Sequence, residues 1–241
     1  MERKLDISVI SPVFNELENL ETFVESVTAV MNSTNMSWEL IIVDDGSNDG
    51  SSKILKKIGH QENIRSILLS KNYGQTTAIQ AGFDNAVGKY FVTLDSDLQN
   101  DPKDIPMLIK KLINEELDLV VGWRKDRKDN YFFRNLPSNL ANKLIGTITG
   151  VKLHDYGCSL KAYRAEVLKE VKLYGEMHRF IPAWMATKIP ASKISEIEVT
   201  HHPRIAGESK YGISRTFRVF VDLISVYSVS YTHLRAHETF A

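Results

Sequence analysis

The chain has 241 residues, enough for one large α/β domain or two small ones, and its 43% hydrophobic and 25% charged residues are those of a soluble globular protein. Thirty basic residues balance thirty acidic ones, so bulk charge gives no basis for nucleic-acid binding, and any anionic partner must be met by local clusters. The single cysteine, Cys158, excludes an internal disulfide scaffold and fits a reducing compartment. The N-terminus carries no apolar stretch of the secretory kind, and no run reaches the ~18 apolar residues of a membrane span.

Short apolar runs rich in β-branched residues, at 7–11, 38–43, 64–69, 90–94 and 117–122, predict buried parallel strands. Between them, 17–31, 51–58, 76–86 and 105–114 space their apolar residues as helices do. Leu20, Phe23, Val24, Val27 and Val30 make one such stripe. The alternation predicts an α/β fold, a mostly parallel sheet with right-handed crossovers and helices on both faces. Residues 130–149 form a further helical region whose start is broken by Leu136-Pro137, and 159–163 and 194–199 read as further strands. In 214–227, Phe217, Phe220, Val221 and Ile224 share one helical face with Arg215 and Arg218 at its start; this suits a helix on a membrane surface and a core helix equally. The last segment, 229–241, resembles what one reading frame of a transposase-type sequencing adaptor encodes. It is expected to be a non-native tail, which sets His233 and His237 aside as metal ligands. The expected organisation is therefore one domain over 1–213, an amphipathic helix over 214–228 and the tail.

Parallel sheets of this kind place ligands at the carboxyl ends of their strands. The residues there are Asn15-Glu16, Asp44-Asp45-Gly46-Ser47, Asp95-Ser96-Asp97 and Trp123-Arg124. Asp44 or Asp49 alone would be read as a cap on the following helix. Three polar and acidic clusters along one edge point instead to a metal-assisted phosphate site. Asp95 and Asp97, two residues apart after an apolar run, can reach one hard cation and the diphosphate it neutralises.

Pro12-Val-Phe-Asn-Glu16, Val43-Asp-Asp-Gly-Ser47 and Asp95-Ser-Asp-Leu-Gln-Asn-Asp-Pro102 together resemble the family 2 glycosyltransferases of the GT-A, Rossmann-like fold. Gly122-Trp-Arg-Lys-Asp-Arg127, Asp155-Tyr-Gly-Cys-Ser-Leu-Lys161, Gly175-Glu-Met-His-Arg-Phe-Ile-Pro182 and Arg204-Ile-Ala-Gly-Glu-Ser-Lys210 are similar to its polyprenyl-phosphate branch, the dolichyl-phosphate mannose synthase-like enzymes. The resemblance covers residues 5 to 225. Many members continue into two transmembrane helices, so the parent protein is expected to be anchored at the cytoplasmic face of a membrane.

The resemblance implies inverting transfer from a UDP- or GDP-linked sugar to an undecaprenyl or dolichyl phosphate, with Mg²⁺ or Mn²⁺ as cofactor. Pro12, Phe14, Glu16, Asp44 and Asp45 would hold base and ribose. Asp95 and Asp97 would bind the metal, with Ser96 and Gln99 also on the donor and Gln99 near its sugar. Arg124, Arg204, Ser209 and Lys210 would meet phosphates, and His178 and Arg179 would lie toward the acceptor. Asp97, Arg124 and Asp155 are the catalytic candidates, Asp155 either as base or as a positioning group.

Bland readings stand beside these. Arg124 sits among Lys125, Arg127 and Lys128 and could be a surface arginine; Trp123 reads as packing; His178 could cap a helix. His201 and His202, adjacent on an extended segment, point to opposite faces and make no metal pair. Cys158 reads as a small buried residue. A dinucleotide-binding enzyme would need G-x-G-x-x-G, and no G-x-G occurs; the spacing Gly82, Gly88, Lys89, Tyr90 is not a P-loop. A processive synthase of the same family would carry a late Q-x-x-R-W, but the last glutamine is Gln99. A soluble glycan or protein acceptor, and a non-catalytic nucleotide-sugar binding module, are the remaining alternatives.

Overall fold

In the computed structural model, residues 5–125, 150–168, 171–173 and 177–203 and the single positions 146 and 175 are described. The helical region over 130–149 (apart from Gly146), the amphipathic segment 214–228, the tail, and Arg204, Ser209 and Lys210 lie outside them.

Seven strands form one sheet in the order β3-β2-β1-β4-β6-β5-β7. They are β1 (Ile7–Val13), β2 (Trp38–Asp44), β3 (Ile64–Leu68), β4 (Tyr90–Thr93), β5 (Leu119–Trp123), β6 (Lys161–Arg164) and β7 (Ile194–Glu198). β1 and β2 are apolar almost throughout and central, covered on both faces, as continuous apolar runs require. β6 is the antiparallel strand. It pairs in that sense with both β4 and β5, while the other pairs are parallel.

The helices are α1 (Leu17–Asn32), α2 (Ser51–Ile58), α3 (Gln75–Asn85), α4 (Ile105–Asn114) and the short α5 (Ala165–Leu168) and α6 (Ile181–Met185). α1 buries Leu20, Phe23, Val24, Val27 and Met31; the stripe closes on Met31 rather than on Val30. α4 buries Ile105, Leu108, Ile109 and Leu112. A Cβ on Gly82 of α3 would lie 2.3 Å from the Ile10 side chain, so α3 packs directly on that face of β1. Ile7, three residues earlier and on the other face, lines a groove with Met31 of α1 and Ile105 and Ile109 of α4. Helices therefore cover both faces. On the α3 face Phe83 stacks on Phe91 at 5.8 Å and meets Tyr163 edge-on at 5.7 Å. Among the described residues no helix is long and apolar enough to cross a membrane.

Candidate active site

The connections run β1 to β2 to β3 in one direction, and β4 lies on the other side of β1. The topological switch point therefore falls between the carboxyl ends of β1 and β4, where open α/β sheets bind ligands. Asn15-Glu16 and Asp95-Ser96-Asp97 leave the sheet at that point, and the Ser96 hydroxyl donates to the Pro12 carbonyl across it at 3.4 Å.

The acids near the rim serve the helix starts only in part, through Asp49 and Asp101. Glu16, Gly50 and Gly74 stand at the N-cap positions of α1, α2 and α3, and none makes a side-chain cap bond. Asp101 does cap, accepting from the Lys103 amide at 3.0 Å. Asp44 Oδ1 accepts the Ser47 amide at 3.0 Å and its Oδ2 the Ser52 hydroxyl, closing the turn before α2. Asp49 ties the α1 and α2 starts together through the Leu17 and Ser51 amides. Asp45 accepts the Tyr73 and Gly74 amides at 2.7 and 2.9 Å. Its burial raises its pKa against those two bonds. The loop before α3 is thereby fixed beside the second strand, at Gly46, where a Cβ would stand 2.4 Å from the Lys71 carbonyl carbon. Asn15 turns the chain out of β1 at φ 53°, donating to Ser47 Oγ and accepting from the Asn48 amide. Glu16 accepts from Asn19 at 2.9 Å, and Phe14 and Pro12 are half-buried beside it.

In the acidic loop, Asp95 Oδ1 accepts from Gln75 Nε2 at 2.8 Å and Asp97 Oδ1 from the Gln99 amide at 3.2 Å. Loss of water and the neighbouring Asp97 carboxylate push the Asp95 pKa up to about 6, against the Ser159 hydroxyl, Lys161 and Arg124. Leu98 holds φ 60°, a conformation a branched residue adopts only when its surroundings enforce it.

Arg124 and Asp155 form a forked pair: Nε to Oδ2 at 2.7 Å and Nη2 to Oδ1 at 3.0 Å, with each side chain 11% exposed. The Arg124 and Gly157 amides also donate to this carboxylate, at 3.4 and 3.1 Å. Burial works against the guanidinium charge, but Cys158, Asp155 and Asp95 outweigh it and raise the Arg124 pKa. Arg124 is thus not a loose surface residue, despite its basic neighbours. Behind it Lys161 is 2% exposed and donates to the Cys158 carbonyl. Its pKa is lowered by burial, with Cys158, Asp155 and Asp95 opposing the shift.

His178 is also buried, with Nδ1 2.7 Å from the Thr76 hydroxyl in the first turn of α3 and Nε2 accepting from Arg179 at 3.3 Å. Burial, then the charges of Arg179 and Lys161, push its pKa down to about 3. A neutral ring with Nδ1 protonated satisfies both bonds. It braces α3 rather than capping a helix. His201 is buried in a bridge to Asn100, while His202 turns to Asp101 at 3.1 Å. Among the described residues no group of three or more His, Cys, Asp or Glu side chains could hold a metal.

A profile of glycosyl transferase family 2 matches residues 8–172, from β1 past the Arg124–Asp155 pair. The chain belongs to glycosyl transferase family 2. It is 57% identical over 226 residues to the dodecaprenyl-phosphate galacturonate synthase of Rhizobium johnstonii, covering 93% of this chain and 67% of that protein. It is 39% identical over 221 residues to the undecaprenyl-phosphate 4-deoxy-4-formamido-L-arabinose transferase of Salmonella paratyphi A, covering 91% and 66%. The chain spans about two thirds of the length of these curated relatives. Among solved structures, glucosyl-3-phosphoglycerate synthase from Mycobacterium tuberculosis in complex with UDP superposes with a TM-score of 0.70 at 20% identity, covering 93% of this chain and 80% of that one. The same enzyme with Mn²⁺ and UDP-glucose gives 0.69 at 18% identity, covering 93% and 79%. The fold is that of GT-A glycosyltransferases.

Within this family 2 domain the structure adds residues that sequence reasoning did not single out. Gln75 and Ser159 hydrogen-bond Asp95, Asn100 donates to Ser159 at 2.9 Å, and Lys161 places a buried amine beside the acids. Lys161 carried a signal: a charge inside a predicted buried strand needs an opposite charge nearby.

Proposed function

We propose that this domain transfers a sugar, with inversion, from a UDP- or GDP-linked donor to a polyprenyl phosphate at the cytoplasmic face of a membrane, for cell-envelope or glycan biosynthesis. The observation that carries this reading is the meeting of Asp95 and Asp97 with two buried basic side chains, Arg124 and Lys161, at the carboxyl edge of the sheet. A site that brings acids for a metal together with cations for phosphate suits a diphosphate leaving group and a phosphate acceptor at once. The relatives that make or use dodecaprenyl- and undecaprenyl-phosphate products support the lipid acceptor and make nucleotide-linked galacturonate the first donor to test.

Asp95 and Asp97 fit a Mg²⁺ or Mn²⁺ ion. Both are hard oxygen donors, and the raised pKa of Asp95 reports negative charge crowded where water is scarce. Mg²⁺ is commonly held by one or two carboxylates with water and substrate phosphates, so a pair suffices. When bound, the ion neutralises charge developing on the diphosphate. Pro12, Phe14 and Glu16 line the base and ribose side, the buried Asp44 and Asp45 shape it through the turn before α2 and the 73–74 loop, and the buried Ser96 ties the acidic loop to Pro12 while Gln99 faces the donor. Arg124 receives phosphate charge, with Arg204, Ser209 and Lys210 supplying further contacts, and His178 sets Arg179 toward the acceptor.

An acceptor phosphate oxygen attacks the anomeric carbon as the bond from that carbon to the diphosphate oxygen breaks, releasing the nucleoside diphosphate. A phosphate monoester, with a second pKa of about 6, is already largely a dianion at neutral pH and needs no strong base. Asp155, its two oxygens accepting from Arg124 and Gly157, is suited to hold the guanidinium plane rather than to take a proton.

The test is incubation of the protein with undecaprenyl phosphate, Mn²⁺ and a panel of labelled nucleotide-sugars, scoring label in the organic phase. Label is expected there for one donor and lost on Asp97→Ala. Unchanged transfer by Asp97→Ala refutes the metal role. Transfer to a soluble glycan or protein with none to the lipid refutes the acceptor.

A further inference from the structure

Two successive residues at the end of β5 are met by two successive residues of the loop that leads toward β6. Arg124 is forked by Asp155. One residue earlier in each segment, the Trp123 and His154 rings stack, with centroids 4.3 Å apart and planes 18° from parallel. His154 is in turn gripped by Glu196 of β7, which accepts its backbone amide at 2.8 Å and its ring Nδ1 through the other oxygen. The register explains the reach: Glu196 pairs with Val121 and Glu198 with Trp123, so Glu196, Glu198 and Trp123 face the same side of the sheet. Glu198 binds Lys125 at 3.1 Å, and that ammonium lies 5.6 Å from the centre of the Trp123 ring. The His154 side chain is 64% exposed, against 16% for Glu196, so burial does not account for its fixed position.

We propose that Trp123, His154 and Glu196 form a clamp that positions the Arg124–Asp155 fork for catalysis. None of the three needs to touch substrate; they are positioning residues acting through Asp155. The clamp fixes the backbone of residue 154, which leaves Asp155 little freedom, and Asp155 then fixes the guanidinium plane before any phosphate arrives. Ordering of the fork is thereby completed in the folded protein rather than at each turnover. The catalytic consequence rests on the function proposed above, whereas the positioning itself does not.

Two measurements separate them. The first is the exchange rate of the Arg124 Nε proton in a ¹⁵N-labelled protein. His154→Ala is expected to speed exchange at least tenfold, while His154→Phe, which keeps the ring stack, stays near the parent value and Glu196→Gln falls between. The second is steady-state transfer to undecaprenyl phosphate. His154→Ala is expected to lower kcat about three- to tenfold, no more than Asp155→Asn does, with donor KM changed less than threefold, and His154→Phe to recover most of it. Unchanged Arg124 exchange in His154→Ala overturns the clamp, as does an equal effect of His154→Phe. A parent protein that transfers nothing to polyprenyl phosphate overturns the functional reading, and the exchange series then still decides the clamp.

Discussion

Asp95 is held in a position that opposes its charge, and this can be measured. Its pKa of about 6, against an ordinary 3.8, means that between these pH values the folded chain holds a proton that the unfolded chain has lost. For a carboxyl the sign is then fixed. The fold gains most from this group below pH 3.8, loses that gain as pH rises to 6, and carries the full deficit at pH 7. The deficit is roughly 3 kcal/mol at 1.36 kcal/mol for each tenfold in proton affinity. Asp95→Asn removes the charge but weakens the Gln75 bond at 2.8 Å, which returns about 1 kcal/mol. A net gain of about 1–2 kcal/mol is expected without metal, and for a chain of this size that is roughly 3–6 °C in Tm. Mn²⁺ is expected to stabilise the parent at pH 7 more than at pH 5, and to leave Asp95→Asn unmoved. Thermal melts of both proteins from pH 5 to 8, with and without Mn²⁺, decide it. A metal-free Asp95→Asn protein that melts below the parent at pH 7, or one that Mn²⁺ still stabilises, refutes the reasoning.

Asp155→Asn is expected to keep transfer within about tenfold of the parent in the labelled-donor assay, which argues against an essential base; a larger loss that a higher pH restores refutes that expectation. Gly46→Ala combines φ 72° with a Cβ 2.4 Å from the Lys71 backbone, so it is expected to destabilise by more than about 1 kcal/mol in urea melts and to weaken donor binding with it. His178, with its pKa pushed down to about 3, must stay neutral in the fold. Below its ordinary 6.5 the unfolded chain takes up a proton that the folded one refuses, so stability falls as pH drops from 6.5, and His178→Asn is expected to melt with less pH dependence between 6.5 and 4. Cys158, fully buried and with its thiol pushed up to about 11 by burial, is expected to resist iodoacetamide at pH 8 in the folded protein and to react at once in guanidinium.

What the sequence disclosed divides along a physical line. Continuous apolar runs announce burial on both faces, so β1 and β2 were legible almost to the residue, and the switch-point rule then pointed to 95–97. Burial patterns carry no direction, however. Ser159, Leu160 and Lys161 read as the start of a strand, but nothing in them says that β6 would run against its neighbours. The observed strand begins at Lys161, after Ser159 and Leu160 have spent their carbonyls on Thr93 and Gly122. Asp44 and Asp45 stand at the end of β2, where the strand-end rule put them, and Asp49 serves the helix starts, as a capping reading expects, yet their partners, the Ser52 hydroxyl and the 73–74 and Leu17 amides, sit in separate segments that only the fold brings together. Gln75 is invisible for the same reason: its partner lies twenty residues away across a helix and a strand.

The antiparallel strand is also what makes the site. In an all-parallel sheet every loop at the carboxyl edge leaves a strand, so only residues C-terminal to the strands reach that edge. β6 runs the other way, so the residues before it, 155–160, arrive at that edge just where 95–97 and 123–124 depart. The register sets this, since Lys161 opens β6 opposite Thr93 of β4 and Val121 of β5. Close approach is permitted because Gly122 has no Cβ; one there would lie 3.0 Å from both Cys158 Sγ and the Leu160 carbonyl. A larger residue at 122 would push the 155–160 loop outward and separate Asp155 from Arg124 without altering either. Motifs some thirty to sixty residues apart in the chain therefore meet as one site only because one strand of seven is reversed and one glycine lets it in.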